Sequence, residues 1–467
     1  MSDSKGNIDP EKGSINDTHA SIAAMNSVSR VECHQKKKRK KRNPYGNWKK
    51  KRSEAGEKID PNKGTRRKQE PGELKLPHTG SYADQNMQEL FQVSLPDNLP
   101  DEIKVTKRKV ALLIAYLGTN YSGFQINEKQ RTIQAEIELA LYKARLLQKS
   151  NFGFPHKYSW STSGRTDKGV HACAQVCSTK LEIGEITGDE VRERINLELP
   201  KDIVVLDVKR TTRNFCAKTG RSRVRYQYMI PSYIFFPDVE KMFEESGIGS
   251  NRCPRDPLAD NEVKTLRAKL KNYRVSPEQF ESLQCALKQY QGTHTYHNFT
   301  RRMEPGDKTA PRYIIEFIAK KPVIRKDGTE WIPTLVLGQA FLLNQIRKMI
   351  ALACDVVGER ATLDTMKYAL SKEAKVRVPI APAEGLFLDM SVYDGYNERK
   401  NRTSDLAEDL DWINQEGSQV MQNWETFKES VVQQKIVDQE TEEGNFIKYL
   451  YTQINIFDSE AAYKTND

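Results

Sequence analysis

The 467-residue chain has no long apolar segment, because its longest hydrophobic runs, such as 110–116, are far too short to span a bilayer. It has only seven cysteines, an odd number scattered along the sequence, and its Met-Ser-Asp start is not followed by an apolar signal segment. These absences argue against a membrane protein and against a disulfide framework. With 37% hydrophobic and 29% charged residues, we expect a soluble protein with an ordered core in a reducing compartment.

Several kinds of chemistry also lack their usual sequence signals. The chain has no nucleotide-binding glycine loop, and Cys173 and Cys177 have no second ligand pair at zinc-finger spacing. The residues alone therefore give no indication of a nucleotide-binding site or a zinc-finger site.

Positive charge is concentrated in a few segments. The net charge is +11, and residues 36–52 alone contain eleven Lys/Arg and no acid, whereas residues 396–467 contain 15 acids and seven Lys/Arg. The remaining body is moderately basic, which favours a polyanionic partner; a solvated charge run without a partner is the alternative. The Lys36–Arg42 cluster predicts a nuclear-import signal, and Lys49–Arg52 either extends it or adds RNA affinity.

Apolar periodicity predicts a mixed α and β body that begins near residue 107. Residues 1–104 are polar, with little periodicity, and are expected to be a disordered leader. The predicted strands are 110–116, 202–208, 224–230 and 331–340. The predicted helices are 132–147, a capped helix from Ser276 to Gly292, 341–357, and one from Thr362.

One segment, Ser163 to Ala172 (SGRTDKGVHA), contains a reactive type of side chain in an unusual setting. Asp167 stands between Arg165 and Lys168, in a loop bounded by two glycines that permit tight turns and close approach. A well-held carboxylate can be a nucleophile or a base. A salt-bridged loop aspartate with a structural role is the alternative.

This decapeptide resembles the signature of the TruA-like pseudouridine synthases, in which an Arg-Thr-Asp-x-Gly-Val-His-Ala loop presents the catalytic aspartate. Other segments match the family in the same order, over about residues 107–393. They are 116–125 (YLGTNYSGFQ), 132–134 (TIQ), 215–218 with 225–228 (FCAK, RYQY), 292–299, 338–347 (GQAFLLNQIR) and 381–386 (APAEGL). Leu117 and Asn344 depart from the residues usual in the family.

The resemblance implies an α+β fold in which two similar α/β halves join their mostly antiparallel sheets around a basic central cleft. The insertion, basic leader and acidic tail look like those of a eukaryotic nuclear subgroup that modifies several tRNA positions and is monomeric. The implied organisation is a leader (1–104), an N-terminal catalytic half (105–230), an insertion (231–275), a C-terminal half (276–395) and an acidic, partly helical tail (396–467).

The resemblance also assigns roles to individual residues. Asp167 is the implied nucleophile, Arg347 stands where the family's arginine pairs with it, and Tyr226 would pack against the target base. Arg165, Lys168 and Arg225 are further candidate substrate-binding residues, with Arg165 filling the stack left by a flipped base or holding a displaced phosphate. His171 and His294 are either cleft residues or structural histidines.

The expected partners are tRNA and, as further candidate substrates, snRNA and mRNA; no membrane partner is expected. The resemblance implies a reaction that requires no cofactor. Because zinc is associated with some eukaryotic members, a structural zinc ion remains an alternative, with no part in the chemistry. Two rival functions are a non-catalytic RNA chaperone with the same fold and a nuclear protein-interaction module that works through the acidic tail.

Overall fold

The computed structural model describes residues 105–127, 130–248, 257–400, 407–412, 415 and 417–455. The predicted leader, its import signal and the basic cluster therefore lie outside the described residues. No helix in the described ranges is both long and apolar enough to cross a membrane.

Ten strands form one sheet. Their bounds are β1 Lys107–Tyr116, β2 Ser161–Thr162, β3 His171–Glu182, β4 Ile203–Arg210, β5 Arg223–Pro231, β6 Gly292–Thr295, β7 Pro311–Ala319, β8 Val323–Ile324, β9 Glu330–Gly338 and β10 Leu386–Val392. Eight strands follow the order β4-β1-β3-β10-β5-β9-β7-β6, with β2 paired to β3 and β8 to β9. The four strands predicted from periodicity are all confirmed, with small shifts at their ends.

The sheet is antiparallel except where β10 lies parallel to β3. That junction is short and joins Phe387 and Leu388 to His171 and Ala172. On its other side β10 pairs antiparallel with β5. The mostly antiparallel sheet expected from the resemblance is therefore confirmed, and the two parts of the sheet meet where β10 pairs with the start of β3, directly after the Asp167 loop.

Strand β1 shows why a strand of this sheet is a continuous run of hydrophobic residues in the sequence. Val110, Leu112 and Ile114 belong to a core cluster on one face, and Ala111 and Leu113 belong to the larger cluster on the other. Both faces are covered, so alternation between apolar and polar residues is lost.

Twelve helices lie on the two faces of the sheet within the described ranges. Their bounds are α1 Ile133–Lys143, α2 Gly188–Glu198, α3 Ala217–Gly220, α4 Val239–Glu245, α5 Asp260–Leu270, α6 Pro277–Lys288, α7 Gln345–Val357, α8 Leu363–Ala369, α9 Asp394–Lys400, α10 Gln419–Thr426, α11 Gln434–Glu443 and α12 Asn445–Asn455. A π-helical segment, Phe427–Gln433, joins α10 to α11, and short 3-10 helices cover Ser232–Phe235 and His297–Phe299.

The capping signals predicted the starts of helices well. Ser276 accepts a hydrogen bond from the Gln279 backbone N–H, and the Gln279 side chain bonds back in a capping box. The helix ends at Lys288 rather than near Gly292, which has φ +97° and opens β6 instead. Helix α7 begins at Gln345 rather than 341, because Asn344 is left-handed (φ 62°) and interrupts helical geometry.

The tail helices pack on the body. Trp424 of α10 donates from Nε1 to the backbone oxygen of Asp389 (3.2 Å), and Trp412 donates to Asp207 (2.6 Å). The Tyr233 hydroxyl donates to Glu440 of α11 (2.6 Å). The described part of the tail is therefore an integral layer of the fold.

Candidate active site

The loop that carries Asp167 connects β2 to β3 and is held from the first strand of the sheet. The Tyr116 hydroxyl lies 2.7 Å from Thr166 Oγ1, and the Phe124 backbone N–H donates to the Thr166 carbonyl (3.1 Å). Within the loop the Val170 N–H donates to the Asp167 carbonyl (3.2 Å). The backbone of the loop is fixed, while the Asp167 side chain is exposed.

Two glycines after β1 allow this close approach. A Cβ on Gly118 would lie 2.3 Å from the Val170 carbonyl oxygen, well inside van der Waals contact. Gly123 has φ +104° and lies directly against the Thr166 carbonyl. Segment 116–125, noted in the sequence only as a match to a family motif, thus packs against the Asp167 loop and supports its backbone.

Asp167 faces a cleft of about 280 Å³. The opposite wall is formed by the turn before α7 and by the first turn of that helix, 341–347. Four of the six residues predicted to form the site line this cleft: Arg165, Asp167, Tyr226 and Arg347. The tertiary structure therefore brings together residues that are up to 182 positions apart in the sequence.

Tyr226 projects from β5 into the cleft. Its ring meets Phe341 edge to face, with the ring centroids 5.5 Å apart. Burial is the main cause of a raised pKa of the Tyr226 phenol; the negative charge of Asp167 adds to it and Arg221 opposes it. Neutral phenol is therefore the resting form, and the ring offers a flat apolar surface beside the carboxylate.

Arg347 enters from the first turn of α7. Its Nε donates to the Ala381 carbonyl (2.7 Å), within the segment 381–386 that resembles the closing motif of the family. Across the described ranges, its Nη atoms have no hydrogen-bond partner, and no ion pair joins it to Asp167. The guanidinium is oriented towards the cleft by one bond, with its other donors available for an anion.

Two of the six predicted residues, Lys168 and Arg225, do not line the cleft. Lys168 is exposed and does not line the cleft, whereas Arg165 is exposed at its edge. Arg225 neighbours Tyr226 on the strand and so points to the opposite face, where it pairs with the buried Asp389. The structure therefore does not bring Arg225 or Lys168 to the cleft.

The two candidate histidines also lie away from the carboxylate. His171 is fully buried at the start of β3, where Nδ1 accepts a hydrogen bond from the Gly118 N–H (3.0 Å) and burial lowers its pKa to about 4. His294 bonds to the Gln291 carbonyl (2.9 Å) at the edge of the sheet. Each histidine has one hydrogen bond to the backbone, but the buried Nε2 of His171 has no partner among the described residues.

Sequence reasoning gave no role to Arg221 and none to Phe341. Arg221 donates from Nη1 to the Ser163 carbonyl (2.7 Å) and lies close enough to Tyr226 to affect its pKa. Phe341 stood within a quoted motif, so the motif could have flagged it. Arg221 had no comparable signal, because it reaches the site through a loop after α3.

A zinc site finds no support in this geometry. Cys173 and Cys177 are both buried in β3, and the described chain contains no group of three or more His, Cys, Asp or Glu side chains that could hold a metal ion. Two thiols without further ligands do not form a structural zinc centre.

Comparison with known proteins agrees with this architecture. A family model described as tRNA pseudouridine synthase matches residues 112–217 and 286–394. A Kluyveromyces lactis protein named tRNA pseudouridine synthase 1 is 33% identical over 399 residues, covering 74% of this chain and 70% of that protein. A Mus musculus protein named Pseudouridylate synthase 1 homolog is 33% identical, covering 75% and 74%. A Saccharomyces cerevisiae protein named tRNA pseudouridine(27/28) synthase is 31% identical, covering 62% and 85%.

Together with these matches, the fold and the aspartate cleft place the chain in a class of isomerases that act on tRNA and need no cofactor. The chain belongs to the TruA-like family of tRNA pseudouridine synthases. The two matched stretches flank residues 218–285, which include the predicted insertion.

Proposed function

We propose that this protein isomerises uridine to pseudouridine at several positions of tRNA, with Asp167 as the nucleophile. The observation that carries the proposal is the composition of the cleft. A larger groove adjoins the cleft and shares Arg165, Tyr226 and Phe341 with it. Among the described residues that line the cleft or this groove, Asp167 is the only carboxylate, and four residues are Lys or Arg. A single nucleophile in a basic groove suits a reaction on a polyanion.

The reaction needs no redox change and no energy input. The bond between uracil N1 and ribose C1′ breaks, the base turns, and C5 bonds to C1′; the C5 proton leaves and N1 gains one. Asp167 acts either by attack at C1′ or by a route that first eliminates across the sugar. Both routes require the carboxylate to reach the ribose, and its exposed position permits this.

Neighbouring residues would hold the base and the carboxylate. Tyr226 offers its ring to the uracil, while the Nη donors of Arg347 would orient the Asp167 carboxylate once substrate fills the cleft. A role for Tyr226 in removing the C5 proton would first require loss of its own proton, which its raised pKa opposes. We therefore assign Tyr226 to stacking.

A uridine inside a helix cannot reach this cleft, so it must be flipped out at a cost of about a few kcal/mol. Arg165, exposed at the edge of the cleft, is placed to fill the vacated stack or to hold a displaced phosphate. Recognition would depend mainly on the folded shape of the RNA, since A-form helices hide their base edges.

Asp167→Ala tests the proposal directly. Pseudouridine mapping on unmodified tRNA transcripts should find several modified sites with the native protein and a loss on the order of 10⁴-fold or more with the variant. Asp394→Ala, which removes an exposed carboxylate paired to Arg223, is the matched control and should retain activity. Native protein that binds tRNA but modifies none of a broad pool would favour the RNA-chaperone alternative.

We further propose a nuclear protein, on the basis of the basic cluster at 36–42. Deletion of 36–52 from a tagged protein should spread it into the cytoplasm, as followed by fluorescence microscopy. Unchanged nuclear retention would contradict the import role.

Two finer proposals concern substrates and assembly. On the resemblance of the sequence to the eukaryotic nuclear subgroup, we propose snRNA and mRNA as additional substrates and a monomeric state, both of which are separate from the tRNA reaction. Mapping on total RNA would test the first, and light scattering at several concentrations the second. A concentration-dependent dimer would overturn the monomer proposal.

A further inference from the structure

A second, larger groove opens beside the catalytic cleft. Its volume is about 680 Å³, against about 280 Å³ for the cleft, and the two share Arg165, Tyr226 and Phe341 as a common wall. The groove runs from that wall past β2 to the turn after α3. This volume lies within the range of sites that bind drug-sized molecules, so it can hold a nucleotide beside the one in the cleft.

The charged side chains that line the groove are all positive. Arg165, Lys218 and Arg221 line it, and no Asp or Glu does so among the described lining residues. Arg221 is held in place because its Nη1 donates to the Ser163 carbonyl (2.7 Å), whereas Lys218 is exposed. Cations without a nearby carboxylate attract a phosphate, and a fixed guanidinium binds it with little further ordering.

The rest of the lining suits a base. Trp160 is half-buried; its backbone N–H donates to the Pro155 carbonyl (2.9 Å), and its ring meets that of Tyr158 at 6.2 Å. Gln134, at the start of α1, is only 7% exposed and lines the groove, yet its side-chain amide has no hydrogen bond with any described residue. Neither amide atom of Gln134 is buried without a partner, so the amide is accessible from the groove and can hydrogen-bond a ligand there.

We propose that this groove is a second nucleotide site, which binds the nucleotide adjacent to the target uridine. Lys218 and Arg221 bind its phosphate, the indole of Trp160 stacks on its base, and Gln134 hydrogen-bonds the edge of that base. The inference rests on the proposed function, because it assumes that the target uridine occupies the cleft. The inference adds a determinant of which uridine is modified, because the enzyme binds the adjacent nucleotide as well as the target uridine.

The experiment pairs a protein change with an RNA change. Three tRNA substrates are compared: the unmodified transcript, and two ligated versions in which the nucleotide on the 5′ or the 3′ side of one target uridine is an abasic ribose. For the native protein, kcat/KM should fall about 5- to 150-fold on one of the two abasic substrates, the range that base–aromatic stacking gives. The other abasic substrate should be modified at close to the normal rate.

Trp160→Ala should show the same fall on normal tRNA and no further fall on the sensitive abasic substrate. An equal fall on all three substrates would assign Trp160 a structural role and overturn the site, as would native activity indifferent to both abasic changes. Trp160→Phe, which keeps an aromatic face, should recover most of the lost activity. Modification of normal tRNA by the native protein reports separately on the proposed function.

Lys218→Ala supplies a test that does not depend on the tryptophan. It should raise KM for normal tRNA, and a neutral methylphosphonate at the phosphate beside the sensitive nucleotide should abolish the difference from native protein. Lys201→Ala, at an exposed lysine outside the groove, is the matched control. An effect of Lys218→Ala that persists undiminished on the neutral linkage would contradict the assignment of phosphate to this side of the groove.

Discussion

Two neighbouring residues on β5 have side chains on opposite faces of the sheet. Tyr226 faces the cleft, and Arg225 reaches through the other face to Asp389 on β10, whose side chain is fully buried. The indole of Trp424 covers the pair, with the Arg225 guanidinium 5.7 Å from the ring centroid. An ion pair on the face of β5 opposite the cleft thus links β5 to β10 and to the tail.

Removing one partner of this buried pair should be costly. Asp389→Ala leaves Arg225, whose side chain is only 21% exposed, without its counter-charge, and should lower the free energy of unfolding by about 3–5 kcal/mol. The matched control is Asp394→Ala, which breaks the Arg223 pair two residues along the strand, where the side chains are 38% and 47% exposed. There we expect about 0–1 kcal/mol. Urea unfolding measures both, and equal losses would contradict this account.

At the scale of secondary-structure elements, a buried carboxylate, Glu440, lies near the junction of α11 and α12. Glu440 is 2% exposed and accepts hydrogen bonds from the Tyr233 hydroxyl (2.6 Å) and the Phe446 N–H (2.9 Å). Burial outweighs these bonds and raises its pKa to about 7. Helix α12 starts after Gly444, whose φ is +61°. A Cβ on Gly444 would lie 2.0 Å from Val263 Cγ1 of α5, so a side chain there would clash.

The raised pKa gives the tail a pH-dependent stability. A carboxyl whose folded pKa exceeds its unfolded value stabilises the fold fully below pH 4.5, and this contribution is lost as pH rises through about 7. Relative to Glu440→Gln, the native protein should therefore lose about 2–3 kcal/mol of unfolding free energy between pH 5 and pH 8.

Urea unfolding of both proteins at each pH measures this difference, because other titrating groups cancel. Glu425→Gln, at a carboxylate that is 63% exposed on α10, is the control and should show no such trend. A constant gap between native protein and Glu440→Gln across this pH range would show that Glu440 is ionised throughout.

At the scale of the whole molecule, charge is arranged for a polyanion. The chain carries a net +11, and the lining of the cleft and groove has four Lys/Arg against one Asp. Arg347 is assigned to the Asp167 carboxylate. If the other three cations each neutralise one phosphate, tRNA affinity should fall about 20- to 40-fold between 50 and 200 mM salt, through release of counterions.

Filter binding or fluorescence anisotropy across that range measures the slope. Lys218→Ala should reduce the slope by about one, whereas Lys201→Ala should leave it unchanged. Affinity that does not depend on salt would contradict an electrostatic cleft.

The sequence by itself determined the features that depend on residues close together along the chain. The strands, the starts of the capped helices and the Asp167 loop follow from side-chain periodicity, capping and glycine placement within about ten residues. The ordered motifs implied the family, which the comparisons confirm. The import signal and leader remain predictions, since they fall outside the described residues.

Only the tertiary structure decided which of these residues lie close together in space. Asp167, Tyr226 and Arg347 line one cleft because β10 lies between β3 and β5, a pairing that no local pattern encodes. Arg225 looked equivalent to its neighbour in sequence, yet the alternation of side chains along β5 sends it to the opposite face. Contacts such as Trp424 to Asp389 depend on how distant elements pack, and packing is set by the whole core rather than by any segment of it.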